Sequence, residues 1–109
     1  MMKVRFANGV VRECAAPTEQ KVFKTVDGET VGKGWILFLR IVGNITSALL
    51  DELLTTENIG TLEFFTVDEN GVETTLFSLE GYDMITSSTI RHAEDSAATY
   101  AEMQMTKGL

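Results

Sequence analysis

The stretch TLEFFTVDENGVETTLFSL, residues 61–79, decides the fold. Two runs of strand-forming residues, 61–67 and 72–79, flank the turn sequence Asp68-Glu69-Asn70-Gly71. Because Asn-Gly accommodates the positive φ angles of tight turns, this pattern predicts an antiparallel β-hairpin. The chain is therefore expected to be rich in β-structure.

This hairpin carries two adjacent pairs of large apolar residues, Phe64-Phe65 and Leu76-Phe77. Successive side chains of a strand point to opposite faces, so both faces of the hairpin are apolar. One face is expected to meet the core, and the other to meet a helix or a neighbouring subunit. The predicted interaction surface therefore comprises Phe64, Phe65, Leu76 and Phe77.

A second hairpin is predicted at the N-terminus, from residues 3–7 and 10–15 around Asn8-Gly9. A two-residue loop would place Arg5 opposite Arg12, and like charges directly opposite each other are destabilising. A longer loop is therefore expected.

The next segments predict a connection at 16–20, a short strand at 21–26 and a turn at Asp27-Gly28. Residues 35–42 form the most apolar run, and its two-sided apolarity suggests a central, covered strand. One face of this strand comprises Trp35, Leu37, Leu39 and Ile41, and the other Ile36, Phe38, Arg40 and Val42.

One helix is predicted from Ser47 to about Thr55, with Thr46 or Ser47 as its N-terminal cap. Its apolar stripe comprises Leu49, Leu50, Leu53 and Leu54. Gly81 is expected to end the preceding strand before another at 82–90. Residues 97–105 suit either a helix or a strand, and a strand is favoured.

The 109 residues fit one domain, residues 1–109. The pattern predicts a mainly β fold: an antiparallel β-sandwich or partly open barrel of seven or eight strands, with one short helix at about residues 46–55.

The net charge of −7 argues against nonspecific nucleic-acid binding, which depends on Lys and Arg. Residues 1–40 carry seven basic and four acidic residues, a balance of +3, whereas residues 41–109 carry two basic and twelve acidic, a balance of −10. Opposite charges could meet across one sheet. Alternatively, they could attract subunits head to tail, because a heterologous interface needs two different complementary patches.

Catalytic and metal-binding constellations are not predicted. His92 is the only histidine, and Cys14, the only cysteine, can form no internal disulfide. The adjacent carboxylates at 68–69 and 94–95 are typical of turns and lack calcium-loop spacing. Gly32-x-Gly34 lacks the remainder of a phosphate loop and is expected to form a flexible turn. We therefore expect no cofactor and no metal.

Neither a signal-peptide apolar region nor an apolar run of membrane-spanning length is evident. A reducing, cytoplasmic compartment is therefore the expected location, without membrane contact. Trp35 and Phe38 could form a ligand platform, although aromatic residues within an apolar strand usually belong to the core.

Three segments resemble short proteins encoded in the structural-gene clusters of phages and prophages of Gram-positive bacteria. They are MKVRFANG (residues 2–9), LDELLTTENIGTLEFFTVDENGVETT (50–75) and TYAEMQ (99–104). The resemblance implies a role in a virion or its assembly, with the bacterial host cytoplasm or the virion as the location, and supplies no catalytic residues. Members often continue into a longer C-terminal extension than this sequence contains.

These observations predict a non-enzymatic structural or assembly component of a phage particle, in its tail or head-tail region. Its expected partners are copies of itself or other phage structural proteins. The alternative is a small β-barrel module that binds a ligand or a host protein.

Overall fold

The computed structural model describes residues 1–43, 45–54, 60–92 and 99–108. It contains one helix, α1 (Ser47–Leu54), and eight strands. The strands are β1 (Met2–Arg5), β2 (Val11–Cys14), β3 (Thr18–Val26), β4 (Glu29–Gly43), β5 (Gly60–Val67), β6 (Glu73–Tyr82), β7 (Met84–His92) and β8 (Thr99–Lys107). The predicted mainly β fold is confirmed.

All eight strands belong to one antiparallel sheet, in the order β6-β5-β1-β2-β4-β8-β7, with β3 paired to β4 beside this path. The strands β6 and β7 are consecutive in the chain but lie at opposite edges of the sheet. Only Asp83 separates them, and its backbone N–H donates to the carbonyl of Thr106 on β8 at 3.0 Å. The sheet must therefore curl until its edges approach each other, which makes it a partly open barrel.

The core lies within this curl. Along β4 the residues Leu37, Leu39 and Ile41 are buried, as the alternation predicts, and Trp35 is half-buried against them. We call this the inner face. The remaining core residues come from six elements and two connections: Val4, Phe6, Cys14, Ile45, Leu49, Leu50, Leu62, Phe64, Tyr82, Ala101, Met103 and Met105.

Residues 97–105, for which the sequence suits either a helix or a strand, lie mostly in β8, and their described part is extended. Its residues Ala101, Met103 and Met105 alternate onto the inner face opposite β4. Tertiary packing thus favours the strand, because period-two alternation buries all three side chains. Residues 97 and 98 lie outside the described residues.

The helix begins where the sequence offered two caps. The hydroxyl of Thr46 accepts a hydrogen bond from the backbone N–H of Leu49 at 3.1 Å, so Thr46 is the cap. Leu49 and Leu50 are buried in the core. The expected last helical residue, Thr55, lies outside the described residues.

The N-terminal hairpin has the longer loop that the charge argument predicts. Arg5 pairs with Val11, and Val4 pairs with Arg12, so the two arginines are not opposite each other. The loop is closed by the N–H of Phe6, which donates to the carbonyl of Val10 at 2.9 Å.

Three predictions of local structure are wrong. Gly32 and Gly34, expected in a flexible turn before the apolar strand, lie within β4, where they pair with β3. Residues 18–20, expected in a connection, belong to β3, where they pair with residues 36–38 of β4. Gly81 does not end its strand: it lies within β6 at a φ of 84°, next to a register irregularity opposite Gly60 and Leu62. A glycine at a bulge lets a strand bend and continue, because it tolerates the positive φ.

Candidate functional site

The β5–β6 hairpin divides the four residues of the predicted interaction surface into two pairs. Phe64 and Phe65 are buried, whereas Leu76 and Phe77 are 47% and 38% exposed. Phe64 belongs to the core and stacks on Phe77, with ring centroids 4.8 Å apart. Of the four, only Leu76 and Phe77 are accessible to a partner of the single chain.

A bulge leaves Leu76 outside the pairing of β5 and β6, on an edge strand whose residues 73–78 are all exposed. Phe64 pairs with Phe77 and Phe65 pairs with Thr75, so Leu76 is an additional residue without a partner on β5. Such a residue interrupts the ladder and twists the strand. An edge strand with a bulge is a poor template for further strand pairing, so contacts here are expected to use side chains.

Phe65 is covered by a cluster of charged residues on the outer face of the sheet. The guanidinium of Arg5 lies 4.5 Å from the centroid of the Phe65 ring and also donates to the carboxylates of Glu63 and Glu73. These bonds raise the pKa of Arg5, chiefly through Glu73. Here a basic residue of the N-terminal part pairs with acidic residues of the C-terminal part, as the first explanation of the charge division predicts.

Strands β3 and β4 extend beyond the rest of the sheet as a two-stranded ribbon. The pairing of β4 with β8 begins at Trp35, which is opposite Lys107, so residues 29–34 pair only with β3. We call residues 22–34 the arm. Six residues of β-strand span roughly 20 Å, in keeping with a molecule that measures 54 × 33 × 23 Å.

The arm exposes large apolar side chains. Phe23 is 59% exposed, Val31 is 57% exposed, and Val26 is exposed near the tip. The tip is formed by Asp27 and Gly28, both at positive φ, as expected for a tight turn.

The inner face of the barrel continues onto the arm. Paired residues of adjacent strands share a face, and Lys21 pairs with Trp35 while Phe23 pairs with Lys33. Since Trp35 is on the inner face, Lys21, Phe23 and Lys33 extend that face past the point where the core covers it.

Three lysines converge at the base of the arm. The ammonium group of Lys21 lies 5.7 Å from the Trp35 ring centroid and 5.8 Å from that of Phe23. An open groove of about 360 Å³ is lined by Lys21, Lys33, Gly34, Trp35, Gly81, Lys107 and Gly108. Within the described part of the chain, neither Lys21 nor Lys33 forms an ion pair with a carboxylate. We call Lys21, Phe23, Lys33, Trp35 and Lys107 the arm patch.

Tyr82 connects β6 to the base of the arm. Its ring is buried, and its hydroxyl donates to the carboxylate of Glu19 on β3 at 2.8 Å. Burial, followed by this bond, raises the pKa of Tyr82 far above its ordinary value. Lys107 lies 4.7 Å from the same ring and donates to the carbonyl of Glu80 at 3.1 Å. The seam between the edges of the sheet is therefore held by polar contacts.

A second groove, of about 400 Å³, lies on the outer face of β4, β8 and β7. Its floor carries Arg40, which donates to the carboxylate of Glu102 at 2.8 Å and lies 4.8 Å from the Tyr100 ring centroid. Arg91 approaches the same carboxylate at 3.4 Å. The bond from Arg40 is the main cause that lowers the pKa of Glu102. Phe38 supplies an apolar wall.

Among the described residues, the remaining candidates from the sequence do not assemble into a site. Cys14 is buried, and burial, followed by the charge of Glu13, raises its pKa to about 11, so its thiol is a poor nucleophile. His92 ends β7, and Glu94 and Asp95 lie outside the described residues. Residues 1–43, 45–54, 60–92 and 99–108 contain no group of three His, Cys, Asp or Glu side chains that could hold a metal ion.

Sequence reasoning missed the arm patch. The alternation of Lys21 and Phe23 in one strand, and of Lys33 and Trp35 in the next, was an available signal, because the Asp27-Gly28 turn lies between them. Lys107 could not have been added from local sequence, since its position opposite Trp35 depends on the register of β4 and β8.

The fold and this surface define a mainly β, partly open barrel with a projecting arm. No protein-family model matches the chain, and no curated protein is similar enough to count as a relative. Among the described residues, no helix combines the length and apolar character needed to cross a membrane.

Proposed function

We propose that this protein is a non-enzymatic structural or assembly component of a phage particle and acts through contacts with copies of itself or with other structural proteins. The observation that carries the proposal is the arm, on which the inner face of the barrel continues uncovered. Its site of action is the host cytoplasm during assembly, and then the virion, in the tail or head-tail region.

The physics of the arm supports this role. An isolated two-stranded hairpin is marginally stable in water, and a third strand or a packing partner is needed to stabilise it. The exposed Phe23 and Val31 would lose apolar surface to water on contact with a second molecule. A partner would therefore both order the arm and remove its apolar surface from water.

The chemistry of the described residues fits a contact function better than catalysis. The thiol of Cys14 is buried with a raised pKa, and the carboxylate of Glu102 is held by Arg40 and Arg91. Neither group is positioned as an activated nucleophile or as a free base. The resemblance of three segments to phage structural proteins points to the same class.

Light scattering coupled to size-exclusion chromatography tests self-association. The wild-type chain should show a mass that rises with protein concentration, and less so at high salt, because salt screens the lysine-rich arm patch. A mass of 12.0 kDa at every concentration in low salt would contradict self-assembly. The phage assignment is tested separately, by whether the neighbouring genes encode capsid, tail or connector proteins.

A second candidate function is a binding module, which the outer groove at Phe38 and Arg40 favours. Its mixed apolar and charged lining suits a small ligand with a carboxylate or amide group. Nuclear magnetic resonance with a fragment library tests it: chemical-shift changes confined to residues 38–40, 87–89 and 102–104 would support this function. Scattered or absent changes would count against it.

A further inference from the structure

We infer that the arm patch of one copy docks onto β6 of the next copy, which gives a head-to-tail interface. This inference rests on the proposed self-assembly and specifies its geometry. The receiving surface, which we call the β6 patch, comprises Glu69, Val72, Leu76 and Phe77.

The two patches are complementary in charge. The arm patch contributes the ammonium groups of Lys21, Lys33 and Lys107. Residues 68–80, in contrast, contain four acidic residues and no Lys or Arg. Asp68 and Glu69 lie at the turn before β6, whereas Glu73 is paired with Arg5. Patches of opposite sign steer association and disfavour the contact of like with like.

They are also complementary in apolar surface. The arm patch exposes Phe23, and the β6 patch exposes Val72, Leu76 and Phe77. These are four of the seven large exposed apolar side chains in the described structure. An interface that joins them would have an apolar centre and a charged rim, the usual anatomy of a specific contact.

The two patches consist of different residues on different hairpins. An interface between them is therefore heterologous, and each bound copy still offers one free patch to a further copy. Such an interface produces a ring when the rotation from each copy to the next adds up to a full turn, and a filament when it does not. The head-to-tail explanation of the charge division thus involves the residues of these two patches. Arg5 and Arg40, in contrast, pair with acidic residues of their own chain, as the intramolecular explanation expects.

A mixing experiment with two variants tests this geometry. Phe23→Asp places a negative charge in the arm patch and leaves the β6 patch intact, whereas Leu76→Asp does the reverse. Ala48→Asp, at an exposed position of the helix, is the matched control for added charge. Circular dichroism and thermal unfolding establish that each chain is folded.

Each variant alone should remain monomeric at concentrations at which the wild type and Ala48→Asp assemble. A 1:1 mixture of Phe23→Asp and Leu76→Asp should form dimers and nothing larger, because only one intact pair of patches remains per two chains. If the mixture stays monomeric while the wild type assembles, the inferred interface is wrong, although self-assembly stands. If the wild type is itself monomeric, both the proposed self-assembly and the inferred interface fail.

Charge reversal gives a second test that does not alter apolar residues. Lys21→Glu and Glu69→Lys should each weaken association at least about tenfold, and a mixture of the two should recover part of the loss. A different result would overturn the inference: Leu76→Asp associates as strongly as the wild type while Phe23→Asp stays monomeric. That result would show that the arm of one copy contacts the arm of another.

Discussion

The guanidinium of Arg5 covers the ring of Phe65, with 4.5 Å between the guanidinium carbon and the ring centroid. Phe65 is only 1% exposed, yet it pairs with Lys3 on the face opposite to that of the buried Phe64 and Val4. A charged side chain thus provides the cover that an apolar residue on an outer face requires. Arginine suits this position because its planar group stacks on a ring while it donates to carboxylates.

Replacement of Arg5 should therefore destabilise the fold more than its partly exposed position suggests. We expect Arg5→Ala to lower the thermal unfolding midpoint more than Lys3→Ala does, because it uncovers Phe65 and leaves Glu63 and Glu73 without their cation. The unfolding midpoint of Arg5→Lys should lie between those of Arg5→Ala and Lys3→Ala, since lysine retains the charge but not the planar guanidinium group. Equal midpoints for the two alanine variants would show that the cover does not contribute to stability.

The alternation along β4 predicts a difference between neighbouring residues. Leu37→Ala should reduce the free energy of unfolding by about 2–5 kcal/mol, because it leaves a cavity in the core. Ile36 lies on the half-buried outer face. Ile36→Ala should therefore reduce the free energy of unfolding by less than Leu37→Ala does, with a difference of at least about 1 kcal/mol. Urea unfolding measures both, and a larger loss for Ile36→Ala would reverse the assignment of the two faces.

The bond between Tyr82 and Glu19 should contribute measurably to the seam. Tyr82→Phe removes the hydroxyl and keeps the ring, so we expect a loss of about 1 kcal/mol in unfolding free energy. Glu19→Gln retains an acceptor oxygen and should cost less. Since the pKa of Tyr82 is raised in the folded state, its contribution is complete below the ordinary tyrosine pKa and declines as the pH rises above it. The Tyr82→Phe chain should lack this alkaline decline.

Cys14 should react slowly with iodoacetamide at pH 8 in the folded protein. Its pKa of about 11, compared with about 8.5 for a free thiol, lowers the thiolate fraction at this pH by roughly two hundredfold, and burial reduces access further. The raised pKa also means that its share of stability is present below about pH 8.5 and is lost as the pH rises towards 11. Labelling followed by mass spectrometry, with the urea-unfolded chain as reference, measures the reaction. Equal rates in the two states would contradict the buried position.

The stability of the fold at acid pH should depend on Glu102. Its pKa is lowered first by the hydrogen bond from Arg40 and further by Arg91, so its stabilising effect is present above the ordinary carboxylate pKa and is lost as the pH falls. Arg40→Met should raise the pKa of Glu102 more than Arg91→Met does. Titration of the carboxyl carbon by nuclear magnetic resonance measures both shifts, and a larger effect of Arg91→Met would contradict the order of the two contacts.

The elements that local patterns specify could be predicted from the sequence. Residues 61–79 contain a turn with a known φ requirement between two strand-forming runs, and the chain folds there as predicted. The alternation of Leu37, Leu39 and Ile41 likewise identified the inner face of β4. In each case the deciding interactions lie within about twenty residues along the chain.

The arm could not be predicted in the same way, because its existence depends on where other strands stop. Residues 29–34 form a ribbon only because β8 begins to pair at Trp35, and this register is set between segments that are far apart in sequence. The position of Leu76 outside the β5–β6 pairing depends on a one-residue bulge relative to β5. Periodicity indicates which residues share a face, but it does not give the length of a pairing or the position of a bulge.

The narrowest join in the sheet has a mechanical consequence. Strand β2 meets β4 through only two residue pairs, Glu13 with Val42 and Cys14 with Ile41, whereas β4 meets β8 through nine. In a chain of subunits joined from arm to β6, tension between neighbours would be carried by this join and by the contacts of β6 with β3 and β8. Under load the subunit should divide at these two places, with the β3–β4–β8–β7 ladder on one side and the β1, β2, β5 and β6 ladder on the other.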